Sequence, residues 1–273
     1  MRTLAALALA LATTFPLQAS AETLCARFFD VGKADATLVS FPSGEHILID
    51  AGKNGDGKQI AATLAAEGIH LRAMVITHFD KDHVGGADQV LDAVPVDEVL
   101  IPGYAKESKQ HTQFLEALAR HPSTRVTTLT RGEAREMTLG TAHLRISAAH
   151  RDSYGRDEEN DFSLACRLAY GKTRFFFTGD AEDTRQKELL AEGDVACDVL
   201  KVPYHGRLVH ASGAFLSACA PKIAYIFESE KEPANPALVE HLEKTLGARV
   251  FLGSRDGEVR VFSYGTRVFT DRD

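Results

Sequence analysis

Residues 73–86, AMVITHFDKDHVGG, limit what this chain can fold into more than any other stretch. The apolar, β-branched run AMVIT has the length and composition of a buried strand. His78, Asp80, Asp82 and His83 follow at once, four metal-capable side chains within six residues. Gly85 and Gly86 then permit a tight turn and close backbone approach before a helical pattern begins. A buried strand that runs through a ligand-rich turn into a helix is an α/β arrangement. Neutral imidazoles and carboxylates are the groups divalent metals take from a protein. The cluster therefore predicts a metal site at a strand end.

Three other segments finish in the same way. HILIDAG ends on Asp50, TRFFFTGD on Asp180, and DVLKVPYHG carries Lys201 and ends on His205 beside a glycine. A lone Asp at a strand end is usually a turn or cap residue. Four such ends together point to one shared site, because ligand sites in layered α/β folds gather at strand ends.

The remaining pattern is of short strand candidates alternating with helix candidates at 57–67, 84–93, 109–121, 182–191, 212–220 and 236–246. Strands are expected in LCARFFDV, DATLVSF, HILIDAG, AMVIT, EVLIPG, RVTTL, HLRISAA, SLACRLAY, TRFFFTGD, DVLKVPY, KIAYIFE, ARVFLG and EVRVFSYG. The first three follow one another closely and read as antiparallel. The last helix opens with Asn235-Pro236, a cap residue followed by proline at the first helical position. Many strands with interspersed helices predict two sheets packed face to face with helices outside. The polar run 151–160 reads as an exposed loop.

Residues 1–21 combine Arg2, an apolar run and Ala19-Ser20-Ala21, the anatomy of a cleaved secretory signal. The expectation is a signal peptide over 1–21, one domain over 22–273, and an exported protein, periplasmic or secreted. No later segment is apolar and long enough to span a membrane. The full chain has a formal charge of −7, and losing Arg2 leaves −8. An acidic domain has no general attraction to nucleic acid or anionic lipid, so any such contact must be local. Cys25, Cys166, Cys197 and Cys219 sit in apolar runs and read as small core residues; a Cys197–Cys219 or Cys25–Cys166 bridge stays open.

ILIDAG, THFDKDHVGG, FFFTGD and VPYHG, in this order, resemble the successive motifs of the metallo-β-lactamase superfamily. The resemblance covers roughly residues 24–264. It implies an α/β fold of the four-layer αβ/βα sandwich type, with a metal-dependent hydrolase site at one sheet edge. The superfamily's usual HxHxDH is here His78-x-Asp80-x-Asp82-His83. Together with FFDVGKADATLV, ENDFSLACRLAYG and DVLKVPYHG, this form resembles the hydrolase-like domain of the ComEC competence channel and its stand-alone exported relatives.

That likeness places His78 and Asp80 on one metal position, Asp82 and His83 on a second, and Asp180 between them. His205 becomes a ligand or a proton donor, and Asp50 a residue that orients the metal loop. Lys201, Asn160 and Asn235 are candidate substrate contacts. One or two divalent ions, zinc or manganese, are implied, and the carboxylate-rich set favours the harder ion. The chain departs from the channel domain in two places: Tyr204-His205-Gly206-Arg207 replaces His-His-Gly-Ser, and Asn235-Pro236 replaces His-Pro. The expected chemistry is hydrolysis of a phosphodiester, in a small molecule or nucleic acid, by a metal-activated water oriented by Asp82. Two alternatives stand beside it. A β-lactamase or other ester or amide hydrolase suits export but lacks the superfamily's second and later histidines. A non-catalytic metal-binding module suits the weakened motif.

Overall fold

The computed structural model describes residues 23–155 and 159–273. The signal reading of 1–21 falls outside the described residues. In chain order the elements are β1 (Leu24–Phe28), β2 (Thr37–Ser40), β3 (His46–Ile49), α1 (Asn54–Ala66), β4 (Leu71–Val75), α2 (Ala87–Ala93), β5 (Glu98–Pro102), α3 (Lys109–Arg120) and β6 (Arg125–Leu129). Then come β7 (Ala134–Leu139), β8 (Ala142–Ser147), β9 (Ala165–Tyr170), β10 (Thr173–Phe177), α4 (Asp183–Glu192), β11 (Val199–Lys201), α5 (Ser212–Cys219) and β12 (Ile223–Ile226). The chain closes with α6 (Pro236–Glu240), β13 (Arg249–Leu252), α7 (Gly253–Asp256), β14 (Val259–Ser263) and β15 (Val268–Thr270).

One sheet runs β15-β14-β1-β2-β3-β4-β5-β6 and the other β13-β12-β11-β10-β9-β8-β7. β1, β2 and β3 pair antiparallel, as expected from their short connections. β3 to β6 are parallel, as are β10 to β13. The inner faces enclose one apolar core in which Phe28 of β1 stacks on Tyr225 of β12, ring centroids 4.6 Å apart. Burying each such ring contributes on the order of 1.5–3 kcal/mol. A second core lies between the first sheet and α1, α2 and α3, and a third between the second sheet and α4, α5 and α6. The result is the four-layer αβ/βα sandwich.

Two strands were absent from the sequence pattern. β7 turns only Met137 and Leu139 fully inward, and β15 has three residues at a sheet edge, so neither carries much apolar periodicity. α2 starts at Ala87 rather than 84, because residues 81–86 are spent on the ligand turn. The last predicted helix is α6 continuing into a wider π-helical turn, His241–Thr245. The four cysteines are free, three of them buried. No described helix is long and apolar enough to cross a membrane.

The topology brings the motif residues to one edge. Parallel strands β3, β4, β10, β11 and β12 all end there, and the β1–β2 loop lies at the same edge because β2 runs against β3. Backbone bonds stitch these loops together: Asp35 N to Asp82 O (2.9 Å), Ala51 N to His83 O (2.8 Å) and Gly52 N to Asp35 O (2.8 Å). Gly86 makes one of the closest approaches. A Cβ there would lie 2.2 Å from Ala51 O and 2.6 Å from Gly57 Cα, so no other residue fits without moving backbone.

Candidate metal centre

Each histidine of the site has one ring nitrogen spent on positioning and the other turned inward. His83 Nδ1 donates to Asp50 Oδ2 at 2.8 Å. His205 Nδ1 donates to the Phe227 carbonyl at 2.9 Å. Carboxylates and carbonyls only accept, so both rings carry their proton on Nδ1 and present Nε2 to the centre. Thr77 Oγ1 donates to Asp50 Oδ2 (2.7 Å) and lies 3.1 Å from His78 Nδ1, which leaves its lone pair for the His78 proton.

The backbone accepts strain to achieve this. Asp50 has φ +56°, and its carboxylate takes the Thr77 N–H at 2.8 Å as well as the hydroxyl. Tyr204, His205 and Gly206 are consecutively left-handed, with φ of 51°, 50° and 73°. Non-glycine residues in that region cost about 1–2 kcal/mol each, and such strain clusters at functional sites.

Asp35, His83, Asp180 and His205 are all buried, and each offers one ligand atom lying within 4.8 Å of the others. Asp180 Oδ2 is 2.9 Å from His205 Nε2 and 3.4 Å from His83 Nε2. Asp82 Oδ2 stands 3.5 Å from His205 Nε2. The fit to a cation is tested by what these atoms lack. Nε2 of His78, His83 and His205 and Oδ1 of Asp35 are buried without a hydrogen-bond partner. Buried polar atoms are rarely left unsatisfied, and the Nε2 atoms of His83 and His205 meet at Asp180 with Asp35 close by, a donor set that suits a divalent ion. The residues present therefore fit a metal.

The electrostatics agree. Burial opposes charge on His83 and His205, yet Asp180 and the neighbouring carboxylates hold both imidazoles above their ordinary pKa. Burial pushes His78 down to about 4, helped by His83, so His78 is neutral at pH 7. Asp180 is held well below the usual carboxylate range despite burial, by His205, His83 and Lys201. The pocket attracts positive charge, and protons take it where no metal does.

Several expected roles change. Lys201 is 2% exposed and cannot meet a substrate. Its ammonium donates to Gly179 O (2.8 Å), Asp180 Oδ1 (3.1 Å) and Asp35, which uses all three protons. With a cation on Nε2, His205 keeps no N–H for a leaving group, since Nδ1 is committed to Phe227. Asn160 donates to Glu182 Oε1 at 2.7 Å, where α4 begins. The Asn235 side chain caps α6 by accepting from Ala237 N at 2.9 Å, while its backbone N–H holds Gly206 O. Asp80 turns away from the cluster into an ion pair with Lys106, which also binds Glu159.

Sequence reasoning missed Asp35 and Lys33. Asp35 sits between Ala34 and Ala36, both fully buried, and an acidic residue inside a small apolar run was its one available signal. Lys33 Nζ donates to Asp82 Oδ2 at 2.7 Å and keeps 16% of its side chain exposed.

Comparisons with known proteins bear on the family and the fold. The chain is 28% identical over 247 residues to Recombination protein 2 of Haemophilus influenzae, covering 88% of this chain and 29% of that protein. It is 28% identical over 218 residues to ComE operon protein 3 of Bacillus subtilis, covering 72% of this chain and 27% of that protein. It thus spans less than a third of the length of either relative. Its fold is similar to that of the metallo-beta-lactamase fold protein YhfI from Bacillus subtilis, with a TM-score of 0.56 at 12% identity over 90% of this chain and 99% of that one. Residues 29–227 match the family description of the metallo-beta-lactamase superfamily, and to that superfamily the chain belongs.

Proposed function

We propose that the protein is a metal-dependent hydrolase of phosphodiester bonds, nuclease-like or phosphodiesterase-like. The observation that carries this reading is the buried convergence of His83 and His205 Nε2 on Asp180, with Asp35 in the same cluster. His83, His205, Asp180 and Asp35 would hold the ion, with Asp82 at its edge. When bound, a divalent ion supplies Lewis acidity and lowers the pKa of water toward neutrality.

The chain's own residues do the rest. Asp50 keeps the His83 proton on Nδ1, so the ligand nitrogen stays free. Asp82 accepts from and orients the attacking water. Lys33, beside Asp82 and partly exposed, meets the negative phosphoryl oxygen in place of the sealed Lys201. The donor set of two imidazoles and several carboxylates favours manganese over zinc. Motifs resembling a competence-channel domain, and a relative named for recombination, support DNA as the phosphodiester. The composition of residues 1–21 supports export to the periplasm or medium.

The test is metal content of the purified protein by mass spectrometry, read beside hydrolysis of bis-p-nitrophenyl phosphate and single-stranded DNA with manganese or zinc. Bound metal and cleavage that disappears in a folded Asp82→Ala variant support the proposal. Bound metal without cleavage supports the binding-module alternative, and nitrocefin turnover without phosphodiester cleavage supports the lactamase one. Absence of both metal and cleavage overturns the reading.

A further inference from the structure

The turn after β4 carries two carboxylates with different fates. Asp82 stays beside His83 and His205, whereas Asp80 points outward with a third of its side chain exposed. One pole of the site has four mutually close ligands, Asp35, His83, Asp180 and His205. The other pole has His78 Nε2, buried and unpartnered, with Asp80 Oδ2 4.0 Å away. Among the described residues these two gain no third ligand at the spacing of the first group. Catalytic metal positions commonly use three protein ligands. This pole offers two, and Asp80 Oδ1 already receives the Lys106 ammonium.

We infer that this chain loads one divalent cation tightly, at the Asp35–His83–Asp180–His205 pole, and that Lys106 keeps a second cation out by occupying the Asp80 carboxylate beside His78. The inference rests on the reading of the site as a metal centre. Lys106 is well placed for it. It comes from the loop between β5 and α3, on a different element from the ligands, and bridges Asp80 and Glu159 with 22% of its side chain exposed. An ammonium between two carboxylates supplies the positive charge that a cation at Asp80 would otherwise bring. A second cation must displace Lys106, leave Glu159 without its partner, and settle for two firm protein ligands. His78 remains ready, and removing Lys106 leaves the Asp80 carboxylate beside it without its cation.

The experiment is a manganese titration of the metal-stripped full chain, followed by calorimetry, metal content after desalting and electron paramagnetic resonance. In the wild type we expect one tight equivalent per chain and the spectrum of isolated manganese. In Lys106→Met we expect a second equivalent bound at least tenfold more tightly than in the wild type, with an exchange-coupled spectrum; Lys106→Arg should behave like the wild type. Circular dichroism confirms that the variants fold. Two tight equivalents and a coupled spectrum in the wild type overturn the inference and leave the metal-centre reading intact. A Lys106→Met variant that binds its second equivalent no better than the wild type also overturns it. No binding at all overturns both.

Discussion

His83 Nδ1 donates to Asp50 Oδ2 across 2.8 Å, although the two residues lie 33 positions apart, Asp50 directly after β3 and His83 in the turn between the neighbouring parallel strand β4 and α2. Asp50 also takes two bonds from Thr77, so one buried carboxylate ties the strand end, the metal loop and the ligand tautomer together. Asp50→Ala should lower metal affinity about 10–100-fold, as loss of a ligand's orienting partner does. It should also lower stability by about 3 kcal/mol through the buried donors left unpaired. Calorimetric titration and urea unfolding measure the two effects. Unchanged affinity in a folded variant would remove Asp50 from the positioning role.

Asp35 and Lys201 form a buried ion pair that also supports Asp180. Removing one partner strands the other charge, at a cost of about 3–5 kcal/mol. Asp35→Ala alone should therefore be strongly destabilised. The double variant Asp35→Ala/Lys201→Met should recover most of that stability while metal affinity stays low. Chemical denaturation of the double-mutant cycle checks the coupling, and additive losses would show that the pair does not act as a unit.

Lys33 and Lys201 divide the work that the sequence suggested for Lys201 alone. Lys33→Ala should raise KM for bis-p-nitrophenyl phosphate and lower kcat/KM about 10–100-fold, the worth of one charge-assisted contact. Bound metal should stay at the wild-type ratio. A loss of metal that parallels the loss of activity would place Lys33 in support of the centre rather than at the substrate.

The pH dependence follows from His83 and His205. Both imidazoles are held above their ordinary pKa by surrounding carboxylates, with Asp180 foremost, in spite of burial. As ligands they must be neutral, so metal binding releases protons and tightens as pH rises through those raised values. The sign for metal-free stability is opposite. A folded-state pKa raised above the unfolded one gives stabilisation that is full below the unfolded value and is lost as pH rises through the folded one. Calorimetry in buffers of different ionisation enthalpy should show proton release at pH 7. Equal enthalpies in all buffers would mean the imidazoles are already neutral.

Much of the architecture was open to reading from residue pattern. Apolar runs of strand length and helical spacing located nearly all the strands and helices, because each such element buries a face. The misses, β7, β15 and the one-turn α7, lie where little is buried. His78, Asp82, His83, Asp180 and His205 were visible because they lie in the turns that directly follow buried strands, three to eight residues past the strand end. What the chain alone determined is therefore the layering and the edge at which chemistry gathers. Tertiary structure decided which charged groups meet there. Asp35, Lys33 and Lys106 come from loops with no periodicity, and their roles depend on which carboxylate each reaches across the fold. Lys201 reads the same in sequence whether it faces solvent or lies sealed beneath Asp35 and Asp180. Only packing distinguishes the two, because burial fixes whether an ammonium binds a substrate or balances the charge of its own site.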